Sequence, residues 1–391
     1  MRLWILSFAL SANLIQAQDR PKLSDAEAAR HHATDYLSQG QGGHTWTPSA
    51  MDFVAGHRAG FVVAKDGSGT HLTVQSAIDA VPSRNLSPDR HFIHVKPGIY
   101  RELVCVKDKA PIALYGNAAD VAATVIIEGN YNMRPRPSGA AGTSPCHSDI
   151  GHLTYGTPGS ASMSILSNDF KLGHLTVEND AMAGIKDGVG YPSGVSESGG
   201  AQAVALMTQG DRVHLENVRL LGHQDTFYVR RPPATDPEGA AARVYVHGSL
   251  IAGDVDFIFG NATLVIDTST ILSRAGRRSP GQGGHVLAPS TPSQVRLGFL
   301  VVGSRFIAEE GLSPETVSLG RAWDEGVPRG EWKPGSSPNG QALIRNSVLG
   351  PHVRAWAAST SRRPFSVDGE RANRMAEYAN TTIEAGGIPK P

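Results

Sequence analysis

One aspartate stands out because of the residues that surround it. Asp256 lies within residues 253–262, a short run rich in valine, isoleucine and phenylalanine. Such residues favour a buried β-strand, and an ionised carboxylate is costly to bury unless it is paired. A partner for Asp256 is therefore expected, and the pair would mark a reactive site. The same local pattern also fits an aspartate that caps a turn at the end of a strand.

A repeat in the sequence places a second carboxylate beside the first. Residues 211–225 superimpose on residues 242–256 after a shift of 31 positions, and Asp225 then falls opposite Asp256. If each segment is one turn of a stacked structure, the two aspartates lie on adjacent strands, roughly 4.7–4.9 Å apart. Two carboxyl groups at this distance lose their protons one after the other, because the negative charge of the first disfavours ionisation of the second. The pair is therefore suited to one nucleophile or base and one acid.

The repeat continues along the chain in a weaker form and predicts the fold. The pattern apolar-x-apolar-x-small/Asn-x-x-apolar has one recurring slot, occupied at spacings of 31, 20, 35 and 43 by Asn217, Gly248, Thr268, Gly303 and Asn346. Regular strands at variable spacing are typical of a solenoid whose turns carry loops of different length. We expect an all-β solenoid with a short N-terminal helix and long loops around a cleft. A propeller or a β-sandwich is disfavoured, because no blade motif recurs and hairpin turns are rare.

The N-terminal part of the chain predicts export. Residues 1–17 combine a basic residue, a short apolar run and a small final residue, as in a secretory signal peptide. The run is too short for a membrane anchor, so a secreted or periplasmic protein is expected. In such a compartment Cys105 and Cys146 can form a disulfide, and two free buried thiols remain an alternative. Residues 18–59 would form an N-terminal helix and loop, and residues 60–391 the catalytic domain with a C-terminal tail.

Two helices and several strands are predicted ahead of the repeat. Ser24 and Glu27 have the spacing of a helix capping box, and the helix that they open would run to about Leu37. A second, amphipathic helix is predicted over residues 73–81. Short strands are predicted over residues 62–64, 91–95, 99–106 and 123–127.

Charge and composition narrow the classes of ligand. The chain has 36 basic and 36 acidic residues, so its formal net charge is zero. No strong field would attract nucleic acid or a membrane surface, and neither is an expected partner. The 15 histidines do not cluster at the spacing of metal ligands. We therefore expect no metal and no cofactor, and we expect a monomer.

A long segment without strand patterns precedes the repeat. Residues 131–160 are rich in glycine, proline and serine, and a loop of this length is usually functional or disordered. We expect four of its side chains to line a cleft: Tyr131, Arg134, Arg136 and Thr157.

Five stretches of the sequence resemble the pectin methylesterase family. They are residues 63–69, 202–206, 222–228, 253–262 and 319–323. They occur in the family's order, and five motifs in one order are far more specific than any one of them alone. The resemblance implies a right-handed parallel β-helix. It also implies an enzyme that hydrolyses the methyl esters of polygalacturonate (pectin) and releases methanol.

The resemblance implies a role for each matching residue. Asp256 would be the nucleophile and Asp225 the general acid and base. Arg321 would pair with Asp256 and keep it anionic. The amides of Gln202 and Gln224 would hold the oxyanion of a tetrahedral intermediate.

Four further residues would contact the substrate. Trp323 matches a sugar-stacking platform, and Phe259 matches a cleft aromatic. Tyr228 ends the motif that contains the acid, and we include it among the substrate-binding residues. Thr157 resembles a threonine of the family that contacts substrate.

The sequence also departs from the family pattern. Ala322 stands in place of a proline, which should change the rigidity of its loop, and Asp254 stands in place of a common threonine. Residues 363–378 resemble a Gram-negative subgroup of the family. Some members of that subgroup have lost the aspartates and are described as acyl-CoA thioesterases. Both aspartates are present here, so pectin is the favoured substrate and a thioester or other ester the alternative.

Other interpretations of single residues and of the whole chain remain open. Gln202 fits a hydrogen-bonded ladder inside a solenoid, Trp323 fits a core position, and Arg321 fits a structural ion pair. A glycan-cleaving β-helix enzyme is the second function class: a hydrolase would use paired carboxylates and a lyase a cluster of calcium ligands. The glutamines favour ester hydrolysis, because acyl transfer needs oxyanion donors. A carbohydrate-binding solenoid without activity would not need a carboxylate pair.

Overall fold

The computed structural model describes residues 20–39, 45–51, 57–137, 144–147, 153–233 and 241–383. The signal peptide predicted at residues 1–17 lies outside this part of the chain. No helix among the described residues has the length and apolar character needed to cross a membrane.

The described residues are organised mainly as short strands, numbered here in chain order. The first nine are β1 (Phe61–Val63), β2 (His91–Val95), β3 (Gly98–Arg101), β4 (Val104–Val106), β5 (Ile112–Tyr115), β6 (Thr124–Glu128), β7 (Met163–Ile165), β8 (Lys171–Gly173) and β9 (Thr176–Asn179). The next nine are β10 (Leu206–Thr208), β11 (Val213–Glu216), β12 (Arg219–Leu221), β13 (Phe227–Val229), β14 (Arg243–His247), β15 (Leu250–Gly253), β16 (Val255–Gly260), β17 (Thr263–Asp267) and β18 (Thr270–Ser273). The last nine are β19 (His285–Pro289), β20 (Phe299–Val302), β21 (Arg305–Ala308), β22 (Val317–Gly320), β23 (Gln341–Arg345), β24 (Val348–Leu349), β25 (Val353–Arg354), β26 (Arg374–Tyr378) and β27 (Thr381–Thr382). The helices are short: α1 (Asp25–Ala28), α2 (Ala33–Leu37), α3 (Val74–Ala80) and α4 (Gly156–Gly159).

The strands stack into three parallel sheets. Sheet 1 has the order β1-β2-β5-β8-β11-β14-β17-β20-β23-β26, sheet 2 the order β4-β7-β10-β13-β16-β19-β22-β25, and sheet 3 the order β3-β6-β9-β12-β15-β18-β21-β24-β27. Each turn of the chain passes from sheet 1 to sheet 3 and then to sheet 2. The fold is a right-handed parallel β-helix, as predicted.

The predicted repeat sets the register of the central turns. Val213 lies opposite Val244, Leu220 opposite Ile251, and Phe227 opposite Ile258. All three pairs keep the spacing of 31 residues, in three different sheets. The offset therefore holds around a whole turn, and it brings the two aspartates onto adjacent rungs.

The slot in the repeat is the corner between sheet 1 and sheet 3. Its five residues have backbone φ angles between 47° and 60°, in the left-handed region: Asn217, Gly248, Thr268, Gly303 and Asn346. Glycine and asparagine adopt this conformation more readily than other residues, which explains their frequency here. His174 and Ala379 occupy the same corner on other turns, with φ angles of 58° and 49°. The sequence pattern missed His174 because histidine is neither small nor asparagine, and it missed Ala379 because Glu377 interrupts the apolar alternation before it.

A serine directly after three of these corners ties its turn to the previous one. The Ser249 hydroxyl accepts a hydrogen bond from the backbone N–H of Val218 at 3.1 Å. Ser269 and Ser304 repeat this bond on the next two turns, again at 3.1 Å. The serine hydroxyls thus satisfy backbone donors that the corner takes out of the strand ladder.

Apolar side chains fill the interior of the coil, and a helix closes one end. Phe227, Phe257 and Phe299 are among the fully buried side chains. At the N-terminal end, α3 buries Val74 and Ile78 against the same core. The structure confirms the amphipathic helix predicted over residues 73–81. This closed core is the rigid support on which the site residues are displayed.

The helix predicted from Ser24 to Leu37 is wrong in its continuity. It consists of α1 and α2, separated by four residues. The Asp35 carboxylate accepts a hydrogen bond from the backbone N–H of His32 at 2.7 Å, which caps a new helix at that point. Tyr36 in α2 then packs into a cluster on the outer face of sheet 1.

The single strand predicted over residues 99–106 is also wrong. It is β3 in sheet 3 and β4 in sheet 2, with a turn at Glu102. The Glu102 carboxylate accepts hydrogen bonds from the backbone N–H groups of Val74 and Gln75, both at 2.9 Å. These N–H groups lie at the start of α3, where helix donors lack internal partners. The turn at Glu102 therefore serves to cap the helix. Hydrophobic periodicity could not predict such a turn, because it depends on a contact between distant residues.

Cys105 and Cys146 form a disulfide, with their Cα atoms 5.7 Å apart. Of the two alternatives left open by the sequence, the disulfide is therefore the one found, rather than two free thiols. The bridge joins residues 144–147 of the long segment to β4, an edge strand of sheet 2.

Candidate active site

A cavity of about 460 Å³ opens on sheet 2. The nine residues to which the resemblance or its motifs gave a catalytic or substrate-binding role all line it: Thr157, Gln202, Gln224, Asp225, Tyr228, Asp256, Phe259, Arg321 and Trp323. They come from distant parts of the chain, and the stacking of β13, β16, β19 and β22 brings most of them together.

Asp256 is held by the partner that its burial requires. Arg321 donates from Nε to Oδ1 at 2.9 Å and from Nη2 to Oδ2 at 2.6 Å, so the two side chains form a bidentate ion pair. Asp256 itself has a φ of 49°, and the register of β16 shifts between Val255 and Ile258. Left-handed residues at an irregular strand are a feature of functional sites, since they re-aim a side chain. The arrangement presents an anionic carboxylate to the cavity.

Asp225 is the second carboxylate of the cavity, one rung away. Its backbone N–H donates to the carbonyl of Val255 at 3.0 Å, and its φ is 66°. Burial raises the pKa of Asp225 well above its ordinary value, and the negative charge of Asp256 raises it further, while Arg321 acts in the opposite direction. The protonated form of Asp225 is therefore favoured beside the Arg321-bound carboxylate of Asp256.

The two glutamines bring amide groups to the same wall. The backbone carbonyl of Gln224 accepts from the N–H of Ala203 at 3.1 Å, which links the two glutamine segments. The side-chain Oε1 atoms of Gln202 and Gln224 are buried and have no hydrogen-bond partner among the described residues. A ladder glutamine would be hydrogen-bonded along the solenoid, so the ladder interpretation of Gln202 is disfavoured. Both side chains are instead directed to the cavity that holds the aspartates.

Aromatic rings form one side of the cavity. Tyr228 and Phe259 stack with ring centroids 4.2 Å apart, and Trp323 meets them edge-on at 5.9 and 5.6 Å. Tyr228 and Phe259 are buried, whereas Trp323 is only partly covered. Trp323 is therefore a rim residue held in place by the other two rings rather than a core residue. A flat apolar surface beside polar groups suits the face of a sugar ring.

Only one of the four predicted side chains in residues 131–160 lines the cavity. Thr157 does so from α4, and its Oγ1 accepts a hydrogen bond from the Asn132 side chain at 2.8 Å. The prediction for the other three is wrong. Tyr131 packs against an apolar cluster around Met182. The two arginine side chains contact residues outside the cavity. Arg134 donates a hydrogen bond to the carbonyl of Gly129 at 2.7 Å, and Arg136 lies over the ring of Tyr155.

Two charged residues of the cavity were missed. The Arg230 guanidinium lies over the Tyr228 ring, 5.3 Å from its centroid. Glu325 accepts a hydrogen bond from the Asn261 side chain at 3.1 Å, and burial raises its pKa. Arg230 follows β13 by one residue and Glu325 lies two residues after Trp323, so proximity to the motifs was the only signal in the sequence.

No cluster that could hold a metal ion is found among the described residues. In the part of the chain that the structure describes, no group of three or more histidine, cysteine, aspartate or glutamate side chains is arranged to bind a metal.

Comparison with known proteins finds similarity over nearly the whole chain. The model of the pectinesterase family matches residues 60–142 and 156–326. A pectinesterase of Ralstonia solanacearum is 39% identical over 380 residues, which cover 94% of this chain and 92% of the relative. The solved structure of rice weevil pectin methyl esterase superimposes with a TM-score of 0.78 at 28% identity, over 93% of this chain and 97% of that one. YbhC of Escherichia coli (strain K12), whose name gives it a provisional assignment as an acyl-CoA thioester hydrolase, is 32% identical over 406 residues, covering 93% and 88% of the two chains.

Proposed function

The chain belongs to the pectinesterase family of carboxylic ester hydrolases, and from this premise we propose that Asp256 and Asp225 hydrolyse the methyl esters of polygalacturonate through an acyl-enzyme. The observation that carries the proposal is the pairing of unlike carboxylates. Asp256 is bound by both arms of the Arg321 guanidinium, whereas burial and the neighbouring anion raise the pKa of Asp225. One carboxylate is thereby suited to attack and the other to give up a proton.

The first half of the reaction forms the acyl-enzyme. A carboxylate oxygen of Asp256 attacks the ester carbonyl carbon, and the electron pair of the carbonyl moves onto its oxygen. The amide N–H groups of Gln202 and Gln224 stabilise that oxyanion. As the intermediate collapses, the bond to the methoxy oxygen breaks, Asp225 protonates that oxygen, and methanol departs. The product is an anhydride between Asp256 and the uronic acid.

The second half restores the enzyme. Asp225, now ionised, takes a proton from a water molecule that attacks the anhydride carbonyl carbon. The tetrahedral intermediate again places its negative charge at the two amides. Its collapse releases Asp256 as the carboxylate and leaves the free acid of the uronate. Asp225 ends the cycle protonated, so no cofactor is consumed.

The lining of the cavity supports a sugar polymer as the substrate. Trp323 offers a ring face at the rim, and Thr157 brings a hydroxyl to the same cavity from α4. Acyl-CoA thioesters are the alternative substrates, and they would use the same acyl chemistry. The flat aromatic wall of the cavity favours methylated polygalacturonate over them.

We also propose the cellular context that the sequence predicts. Residues 1–17 would direct the chain out of the cytoplasm, residues 18–59 would form an N-terminal segment ahead of the catalytic domain, and residues 60–391 would carry out catalysis as a monomer. A polymeric extracellular substrate is in keeping with export.

The proposal predicts methanol release without cleavage of the polymer. Incubation of the enzyme with highly methylated pectin should release methanol and acid in equal amounts, because each ester yields one of each. The viscosity and the number of reducing ends should stay constant. An enzyme that shortens the chain, or one that hydrolyses acyl-CoA but not pectin, would contradict the proposed substrate.

Gln202→Ala should lower turnover by roughly 10²–10³-fold, the usual effect of removing one oxyanion donor. The side-chain oxygen of Gln202 has no partner within the described protein, so the substitution breaks no hydrogen bond of that atom and should leave the fold intact. Methanol release measured at saturating substrate gives the change in kcat. Gln209→Ala is a matched control, because Gln209 donates to a backbone carbonyl outside the cavity. Equal activity of the two variants would remove Gln202 from the mechanism.

A further inference from the structure

A second pair of polar side chains stands on the same two rungs as the aspartates. His223 and Asp254 are also 31 residues apart, so they are stacked as Asp225 and Asp256 are. His223 Nδ1 lies 3.0 Å from Asp254 Oδ2, within hydrogen-bonding distance. This pair is two residues upstream of the site pair on both turns. Asp254 is also one of the two residues that depart from the family pattern.

Asp254 is buried and fully engaged. Arg277 donates to its two carboxylate oxygens from Nε and Nη2, both at 2.5 Å. The two residues are only 5% and 1% exposed. Burial alone would raise the pKa of Asp254, but the hydrogen bonds from His223 and Arg277 outweigh it and hold that pKa below its ordinary value. Arg277 in turn donates to the hydroxyl of Tyr191 at 2.8 Å, which anchors the ion pair from outside.

Backbone hydrogen bonds connect this ion pair directly to the segment that carries Asp225. The N–H of Asp254 donates to the carbonyl of His223 at 3.0 Å. In the reverse direction, the N–H of Asp225 donates to the carbonyl of Val255, the residue after Asp254, at 3.0 Å. The Thr226 hydroxyl then donates to the His223 carbonyl at 3.2 Å. Movement of Asp254 would therefore move the turn on which Asp225 is displayed.

Two ion pairs act on the charge of Asp225. Asp256 and Arg321 line the cavity together with Asp225, whereas Asp254 and Arg277 are not part of the cavity lining. Asp254 raises the pKa of Asp225 and Arg277 lowers it. Because Asp254 and Arg277 are a matched anion and cation, removal of one member leaves the other uncompensated.

We propose that Asp254 is a positioning residue for ester hydrolysis: paired with Arg277 and bonded to His223, it fixes the turn that carries Asp225 and neutralises the charge of Arg277. This inference rests on the proposed role of Asp225 as the acid. It assigns no contact with substrate to Asp254, which acts through Asp225 alone.

The test is the pH dependence of kcat/KM for methanol release. The alkaline limb reports deprotonation of the acid in the free enzyme. Asp254→Asn keeps the shape of the side chain but leaves the positive charge of Arg277 uncompensated, which favours the ionised form of Asp225. The limb should move to lower pH by about one unit, the size expected for a nearby charge. In the double variant Asp254→Asn with Arg277→Gln both charges are absent, and the limb should return towards its wild-type position.

A matched control separates this effect from loss of stability. Asp211→Asn breaks another buried ion pair, in which Arg243 binds Asp211 at 2.9 and 2.7 Å, and Asp211 is not among the charges that act on Asp225. It should lower the melting temperature without moving the limb. If Asp254→Asn does not fold, Asp254→Thr replaces it with the same expected direction.

Two results would overturn the proposal. One is an alkaline limb that stays in place in Asp254→Asn or Asp254→Thr, and the other is a shift that persists in the double variant. Failure of the underlying mechanism has a different signature. If Asp225 is not the acid, Asp225→Asn would keep the alkaline limb of the wild type, whichever residue stands at position 254.

Discussion

Asp256→Asn is expected to reduce methanol release to background. The amide keeps the shape of the side chain but lacks the anionic oxygen that attacks the ester, so the acyl-enzyme cannot form. Asparagine tolerates the left-handed backbone as well as aspartate does, and the φ of 49° at this position should be retained. The loss would therefore come from chemistry rather than from unfolding. Its effect should exceed that of Gln202→Ala, because the attacking atom itself is removed rather than a group that stabilises the intermediate.

The measurement is methanol release from methylated pectin, with circular dichroism and thermal melting to show that the variant is folded. Asp267→Asn is a suitable control. Asp267 lies on the end of β17 in sheet 1, away from the cavity, and accepts a hydrogen bond from the Tyr245 hydroxyl at 2.8 Å. It should retain nearly wild-type activity. If Asp256→Asn stays close to wild type, Asp256 cannot be the nucleophile, and the acyl-enzyme mechanism fails.

The architecture could be predicted from the sequence because it is periodic. A shift of 31 residues matches apolar positions in 211–225 with those in 242–256, and a parallel solenoid converts such a shift directly into strand register. The proximity of Asp225 and Asp256 then follows without any knowledge of the loops. The spacing of the corner residues was also readable, since asparagine and glycine suit the left-handed corner. His174 and Ala379 could not be found in this way, because the sequence around them does not fit the pattern.

The rest of the site depends on segments that are not periodic. Arg321 is 65 residues from Asp256 in sequence, and loops of unequal length lie between their strands. Its place was found only through the family resemblance. Arg277 had no motif at all, although it satisfies the buried carboxylate of Asp254. A buried acid in the sequence predicts that a partner exists but does not identify it.

The three wrong predictions of cleft residues have a related cause. Tyr131, Arg134 and Arg136 belong to a long segment whose direction is set by tertiary contacts, including the disulfide at Cys146. Arginine and tyrosine are frequent both in ligand clefts and in ordinary loop packing. Residue type alone could not distinguish these two environments. The left-handed backbone at both aspartates was likewise invisible, since aspartate is common in ordinary turns as well as in such corners.

Asp225→Asn is expected to lower kcat by roughly 10²–10⁴-fold, the usual contribution of a positioned acid and base. The amide can still donate a hydrogen bond to the leaving oxygen, so some acyl-enzyme should form, but it cannot transfer a proton or activate water. The alkaline limb of kcat/KM should disappear, because the group that loses its proton there is gone. A profile that keeps this limb with near-wild-type turnover would assign the acid to another residue.

The same variant should be more stable than the wild type in alkaline solution. Burial and Asp256 raise the pKa of Asp225 in the folded protein, whereas the unfolded chain has the ordinary value. The folded protein therefore binds the proton more tightly, and its stability falls as the pH rises through the raised pKa, because an ionised carboxylate then has to remain buried beside Asp256. Asparagine carries no charge, so Asp225→Asn escapes this loss. Thermal melting over a pH series should show the variant ahead of the wild type at high pH, with a difference that narrows as the pH is lowered. A difference in melting temperature that does not change with pH would mean that the pKa of Asp225 is not raised in the folded protein.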